Sequence, residues 1–298
     1  MMHAPRMIRR RRQLPRRLRG QSLNRLVPNI VTLLALCAGL TAIRMAVENR
    51  LDLALAAIVF AALLDGIDGR VARMLKGTSR FGAELDSLAD FVNFGVAPGL
   101  ILYFWGLHEL KSVGWIAAMV FALCTALRLA RFNVMIDDPN KPLWAADFFT
   151  GIPAPAGAIT VLLPIYLYFL GVPNGLVTAW VVLVYTLAIA FLMVSRLPVF
   201  SGKRVGKRVP PEGVLPVFVA AVLFVALLIS YPWIVLTIGT VAYLVALPFG
   251  WRAYQKNLRR DVASAHAARA AAASPGDDSF PAASGSIAED EERPTRLN

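Results

Sequence analysis

Charge is scarce in this sequence. Asp, Glu, Lys and Arg make up 17% of its 298 residues, where soluble domains spend about a quarter. So few charges cannot cover a water-facing surface, and they rule out a disordered chain, which a hydrophobic fraction of 57% also excludes. Cysteine is nearly absent: Cys37 and Cys124 stand alone in apolar runs, so neither a disulfide-stapled domain nor a zinc site is expected. Acid is missing from residues 1–27, which hold nine arginines: Arg6, Arg9, Arg10, Arg11, Arg12, Arg16, Arg17, Arg19 and Arg25. No aromatic or groove-reading pattern accompanies them, so the net charge of +12 does not point to nucleic acid. The charge stands outside long apolar segments, which is the composition of an integral membrane protein.

A helix needs roughly 20 mostly apolar residues to cross a bilayer. Eight stretches qualify, at about 29–47, 51–75, 86–106, 113–134, 154–171, 174–194, 213–230 and 232–250. The fold class expected is therefore all-α, a polytopic bundle of about eight transmembrane helices. Every second loop is basic: Lys76 and Arg80, then Lys141, then Arg196 to Arg208, then Arg252 to Arg260. The positive-inside rule then puts both termini on the cytoplasmic side, with the basic arm lying against anionic lipid. No A-x-A-like cleavage site follows the first span, so a cleaved signal peptide is not expected. Residues 261–298 are rich in Ala, Ser, Pro and acid and are expected to be a disordered cytoplasmic tail.

Four acids lie where a membrane should not tolerate them: Asp65, Asp68, Asp86 and Asp90. A carboxylate in mid-span costs roughly 2.5–3.5 kcal/mol on insertion scales. At about 3.6 residues per turn, Asp65, Asp68, Gly69, Ala72 and Arg73 share one face of the second span. Gly82, Asp86 and Asp90 share one face of the third. A short loop joins the two helices, so the faces can meet. Converging carboxylates repel unless cations sit between them, and hard oxygen ligands suit Mg²⁺ or Mn²⁺, with enough acid here for two ions. A two-metal site suits in-line phosphoryl displacement. Arg73 would neutralise a phosphate, and Gly69, Ala72 and Gly82 would leave room for a bulky ligand. The competing reading is an ion-pair network in which Arg70 and Arg73 match the acids.

The pattern Asp65-x2-Asp68-Gly69-x2-Ala72-Arg73-x8-Gly82-x3-Asp86-x3-Asp90 resembles the signature of the CDP-alcohol phosphatidyltransferases. That family moves a phosphatidyl group from a CDP-linked lipid to an alcohol and releases CMP. The resemblance implies a catalytic core over 28–200, following the arm at 1–27, with a transmembrane helical hairpin over 201–260. It implies that Asp65, Asp68 and Asp86 are metal ligands, and that Asp90 completes the metal site and takes the proton from the acceptor hydroxyl. Gly69, Ala72, Arg73 and Gly82 would contact the CDP moiety. Homodimers and a bacterial inner-membrane location, with a cytoplasmic active site, follow from the same resemblance.

Three flanking stretches resemble bacterial phosphatidylserine synthases: Asp90 to Pro98, Ala126 to Asn133, and Phe149 to Pro155, with Pro28-Asn29 opening the first span. They imply CDP-diacylglycerol and L-serine as substrates; glycerol phosphate, inositol phosphate and choline are the alternative acceptors. Arg128 and Arg131, one turn apart, would bind serine's carboxylate or the lipid phosphate, or else serve as positive-inside anchors. Thr150 and Gly151 would present a helix N-terminus to an anion, or form a simple cap with Pro153 in the first turn. A cation transporter using intramembrane aspartates is the reading from a different class, although no inverted repeat supports it.

Overall fold

In a computed structural model of the chain, residues 23–75, 79–136, 148–195, 198–200 and 211–273 are described. Helices α1 (Leu23–Val47), α2 (Leu51–Met74) and α3 (Arg80–Phe91) open the fold. A π-helical turn, Val92–Val96, joins α3 to α4 (Ala97–Trp105), so that Arg80–Trp105 forms one continuous span. Next come α5 (Ser112–Ile136), the broken pair α6 (Ala154–Val161) and α7 (Leu163–Phe169), and α8 (Leu176–Val194). Helices α9 (Pro211–Ser230) and α10 (Pro232–Ala273) end it. Six of the helical segments are long and apolar enough to cross a membrane. Helix α2, of 24 residues but rich in charge, and the α6–α7 pair complete the eight expected spans. This is a helical, multi-pass membrane protein.

Three features differ from the sequence expectation. The third span starts at Arg80 rather than 86, because the Ser79 hydroxyl caps it, accepting from the Gly82 N–H at 3.0 Å. Helix α10 continues through Ala273, past Asp261 where a disordered tail was expected. The sequence there is mostly alanine, the strongest helix former. A short antiparallel ladder pairs Phe148–Thr150 with Pro198–Phe200, a pairing that hydropathy could not reveal. The N-terminal arginines before Leu23, together with Lys76 and Lys141, lie outside the described residues.

Residues Met1–Tyr254 form one compact unit, and Gln255–Asn298 a second that holds the last part of α10. In the first, α1 buries a stripe of small residues: Pro28, Thr32, Ala35, Gly39, Ala42 and Ala46. Their spacing of three and four residues is that of a helix seam, and their size lets neighbouring backbones approach closely. The centre of the unit is filled by Phe94, Ile101, Phe121, Ile165, Tyr166 and Ile189. Pro98 has no N–H for the carbonyl one turn back, and the helix widens into the π turn just before it. Pro164 likewise leaves the Thr160 carbonyl without its helical partner; the Tyr185 hydroxyl donates to it at 2.7 Å. The Tyr166 hydroxyl donates to the neighbouring Ile159 carbonyl at 3.0 Å.

The closest approach of α1 to the π turn is at Gly39, where a Cβ would land on the Asn93 side chain. Asn93 is fully buried and has no room to retreat. Gly39→Ala should therefore cost about 1–3 kcal/mol of stability through overpacking. A lowered unfolding midpoint in detergent, largely restored by adding Asn93→Ala, would bear this out. An unchanged midpoint in the single variant would contradict the contact.

Candidate active site

Helix α1 packs against both α2 and α3, and the acidic faces of those two helices meet at their carboxylates. Asp65 and Asp68 of α2 and Asp86 of α3 each offer a carboxylate oxygen, and these oxygens all lie within 4.8 Å of one another. A hard divalent cation holds oxygens at about 2.0–2.6 Å, so ligands around one ion sit up to about twice that distance apart. The three aspartates are thus grouped closely enough to hold a single cation. Asp90, one turn beyond Asp86, lies against Asp65 within hydrogen-bonding contact. Two carboxylates that close need a proton or a cation between them.

One supporting residue was not foreseen. The Thr32 hydroxyl of α1 donates to Asp68 Oδ2 at 2.8 Å, and the Pro28 carbonyl one turn back lies 3.1 Å from that hydroxyl as its alternative acceptor. Both Thr32 and Asp68 are buried. Donation to one carboxylate oxygen fixes the rotamer and leaves the other free for a ligand role. Asn29 stands on the same face of α1, three residues earlier, and its side chain sits beside Gly82; a Cβ at 82 would press on it. The signal in the sequence was a pair of polar residues, Asn29 and Thr32, spaced for one helix face inside an apolar span.

The expected CDP-contacting positions divide. A Cβ built at Gly69, or at Gly66, would meet nothing within 4 Å, so that face of α2 opens onto free space. Arg73 is exposed beside it and Ala72 half-buried. Gly82 is instead enclosed between Asn29 and Ser79. The ion-pair reading fails: among the described residues the salt bridge formed is Arg44–Glu48, and neither Arg70 nor Arg73 pairs with the aspartates.

On the far side, Arg128 of α5 is 8% exposed and lies within electrostatic reach of Asp90. Its guanidinium sits 5.7 Å from the Phe132 ring, and its Nε–H is buried with no hydrogen-bond partner. Arg131 is engaged differently: one of its N–H groups donates to the Val194 carbonyl at the end of α8. Thr150 and Gly151 do not form the helix N-terminus expected of them. Thr150 pairs with Pro198 in the ladder, and Pro153 provides the cap before α6. Gly151 adopts φ +76°, a left-handed conformation that suits glycine, and its Cα faces the Met193 and Ser195 carbonyls too closely for any side chain. Arg131 and Gly151 together close a seam between the end of α8 and the segment leading into α6.

Loss of an outer hydrogen bond to a metal ligand usually costs about 10–100-fold in affinity. Thr32→Val, nearly the same shape, should weaken Mn²⁺ binding by that factor while leaving the unfolding midpoint of the metal-free protein within a degree or so. Titration followed by the Mn²⁺ spin-resonance signal reads the first quantity directly. Equal affinities in the two proteins would show that Thr32 does not orient Asp68.

Comparison with known proteins agrees with this geometry. Residues 25–194 match the family model described as CDP-alcohol phosphatidyltransferase, and residues 212–248 match the one described as CDP-alcohol phosphatidyltransferase 2. The chain is 41% identical to a CDP-diacylglycerol–serine O-phosphatidyltransferase of Mycobacterium leprae, over 79% of its own length and 77% of the relative's. It is 39% identical to the protein so named in Mycobacterium tuberculosis, over 80% and 82% of the two chains. A Helicobacter pylori protein with the same name is 34% identical over 74% of this chain and 88% of its own. The transporter reading accounts for none of this, and the chain belongs to the CDP-alcohol phosphatidyltransferase family.

Proposed function

We propose that the protein transfers the phosphatidyl group of CDP-diacylglycerol to the hydroxyl of L-serine, giving phosphatidylserine and CMP. The observation that carries the reading is the position of Asp90: it lies within reach of both Asp65 of the carboxylate cluster and Arg128. A base at that point stands between a bound pyrophosphate and a bound acceptor. The names of the similar mycobacterial and Helicobacter proteins support serine as that acceptor.

Asp65, Asp68 and Asp86 would hold the divalent cation, Mg²⁺ or Mn²⁺, and Asp90 beside Asp65 supports room for a second ion. The chemistry such a cation supplies is Lewis-acid neutralisation of pyrophosphate oxygens. The open face at Gly69 and Ala72 would receive the CDP moiety, with exposed Arg73 balancing phosphate charge and Gly82 holding the start of α3 near it. Asp90 takes the proton of the serine hydroxyl. The freed oxygen attacks the phosphatidyl phosphorus, the bond from that phosphorus to the CMP oxygen breaks, and CMP leaves. Arg128 would hold the serine carboxylate; Arg131, Thr150 and Gly151 would shape the seam behind it. The basic loops support an orientation with both termini and the site facing the bacterial cytoplasm.

Measurements of CMP release and of variant kinetics test this. In detergent or vesicles, CDP-diacylglycerol with Mn²⁺ or Mg²⁺ should release CMP when L-serine is added, and not with glycerol phosphate, inositol phosphate or choline. Chelation of the metal should abolish release. Turnover with another alcohol and none with serine would refute the acceptor. Asp90→Asn should lower kcat by about 10²–10⁴-fold, the usual worth of a positioned general base; full turnover in that variant would remove Asp90 from the role. A different variant probes the lipid side: Gly69→Val fills space open in the fold, so it should raise the KM for CDP-diacylglycerol several-fold with little change in stability. A KM equal to that of the natural protein would place the nucleotide elsewhere.

A further inference from the structure

Helix α10 meets the rest of Met1–Tyr254 through one face, carrying Trp233, Leu236, Tyr243, Leu244 and Leu247 against the core. That face also bears Thr237 and Thr240. The spacing of three and four residues puts all of these on one side of the helix. Three of them are hydroxyl residues, and the hydroxyls of Thr237, Thr240 and Tyr243 are each buried with no hydrogen-bond partner. An unpaired buried hydroxyl is costly, and a threonine in a helix ordinarily relieves the cost by bonding the carbonyl one turn back. Here a row of three goes unrelieved.

The row ends at the site. Tyr243 and Arg128 lie within electrostatic reach of each other, and Arg128 lies within reach of Asp90. Arg128 is itself more than nine-tenths buried, and its Nε–H lacks a partner just as the Tyr243 hydroxyl does. Among the described residues no carboxylate forms a salt bridge with Arg128. A buried guanidinium with an unmet donor, beside an unmet phenol, is an arrangement of O–H and N–H donors awaiting an anion's oxygens.

We propose that Tyr243, from the last helix, completes the acceptor site: with Arg128 it binds the carboxylate of the acceptor, and Thr240, one turn earlier, lines the same pocket. This rests on the reading that the protein uses serine. The carboxylate is favoured over a lipid phosphate because, of the four aspartates, Asp90 is the one within electrostatic reach of Arg128, and an acceptor held there by its carboxylate would bring its hydroxyl to the proposed base. Arg128 supplies charge and a forked pair of donors; the phenol supplies one more hydrogen bond. The last helix is then part of substrate recognition and not only a membrane anchor.

The test uses the full-length protein in its active form. Tyr243→Phe removes one oxygen and keeps the ring, so the packing survives. The serine KM should rise about tenfold or more, with kcat and the KM for CDP-diacylglycerol each within about twofold of the natural protein. Thr240→Val should move the serine KM in the same direction by a smaller factor, and Tyr231→Phe, on the exposed turn before α10, should move none of these values. L-Alanine, which carries the carboxylate but no hydroxyl, should compete with serine, and should compete less well in Tyr243→Phe by the same factor as the KM rise. An unchanged serine KM in Tyr243→Phe would overturn the proposal, as would a rise in the KM for CDP-diacylglycerol instead. Serine-dependent CMP release by the natural protein is measured first. Its absence would refute the serine reading itself, a result distinct from a failure of Tyr243 to matter.

Discussion

Everything near the site follows from placing four carboxylates inside apolar helices. Insertion penalises each of them, and mutual repulsion adds to the cost once the faces of α2 and α3 meet. The fold does not offset this with neighbouring arginines: Arg73 points to open surface, and Arg128 approaches Asp90 without pairing to it. What the fold supplies is an orienting donor, Thr32, and space. A cluster left uncompensated by the protein fits the ions and charged substrate proposed for it. The small residues of α1 are the structural consequence, since only a thin helix can bring the Thr32 hydroxyl within reach of Asp68.

The same low-dielectric setting governs the backbone. A proline in a spanning helix strips a hydrogen bond from a carbonyl that water cannot reach, and the loss has to be met from inside the protein. At Pro98 the helix itself adjusts, widening through Val92–Val96. Asp90 stands in the last turn of α3, two residues before that wider segment, and the segment itself packs against α5. At Pro164 a side chain adjusts instead, and the Tyr185 hydroxyl takes the free carbonyl of Thr160. Two tyrosines in α7 and α8 that look like core filling are therefore also the means by which a broken span is tolerated.

Much of this was legible in the sequence, because hydropathy and the spacing of the acids are both one-dimensional signals. Eight spans and the aspartate faces followed from them. What escaped was whatever depends on tertiary contact. Thr32 gives no local sign of its partner, 36 residues away in the chain. Arg131 read as an anion ligand because arginines near a site usually do, but its geometry commits one donor to the Val194 carbonyl. Thr150 and Gly151 read as a helix N-terminus because they precede the fifth span. The positive φ of Gly151 and the ladder to Pro198 belong to a pairing with a segment about 50 residues on, which no local rule detects.

The two C-terminal helices are apolar enough to be mistaken for equivalents, yet they differ in where their polar atoms lie. Helix α9 is exposed to the surroundings along nearly its whole length, and every side chain from Val214 to Ile229 is apolar. Helix α10 also exposes apolar residues such as Ile238 and Val245, but turns Thr237, Thr240 and Tyr243 toward the core beside Leu236 and Leu244. A helix that served only to span the membrane would have no use for inward hydroxyls, since each one needs a partner that lipid cannot provide. Polarity directed inward and left unsatisfied is the same feature that marks the aspartates of α2 and α3. It assigns α9 to the lipid and α10 to the site.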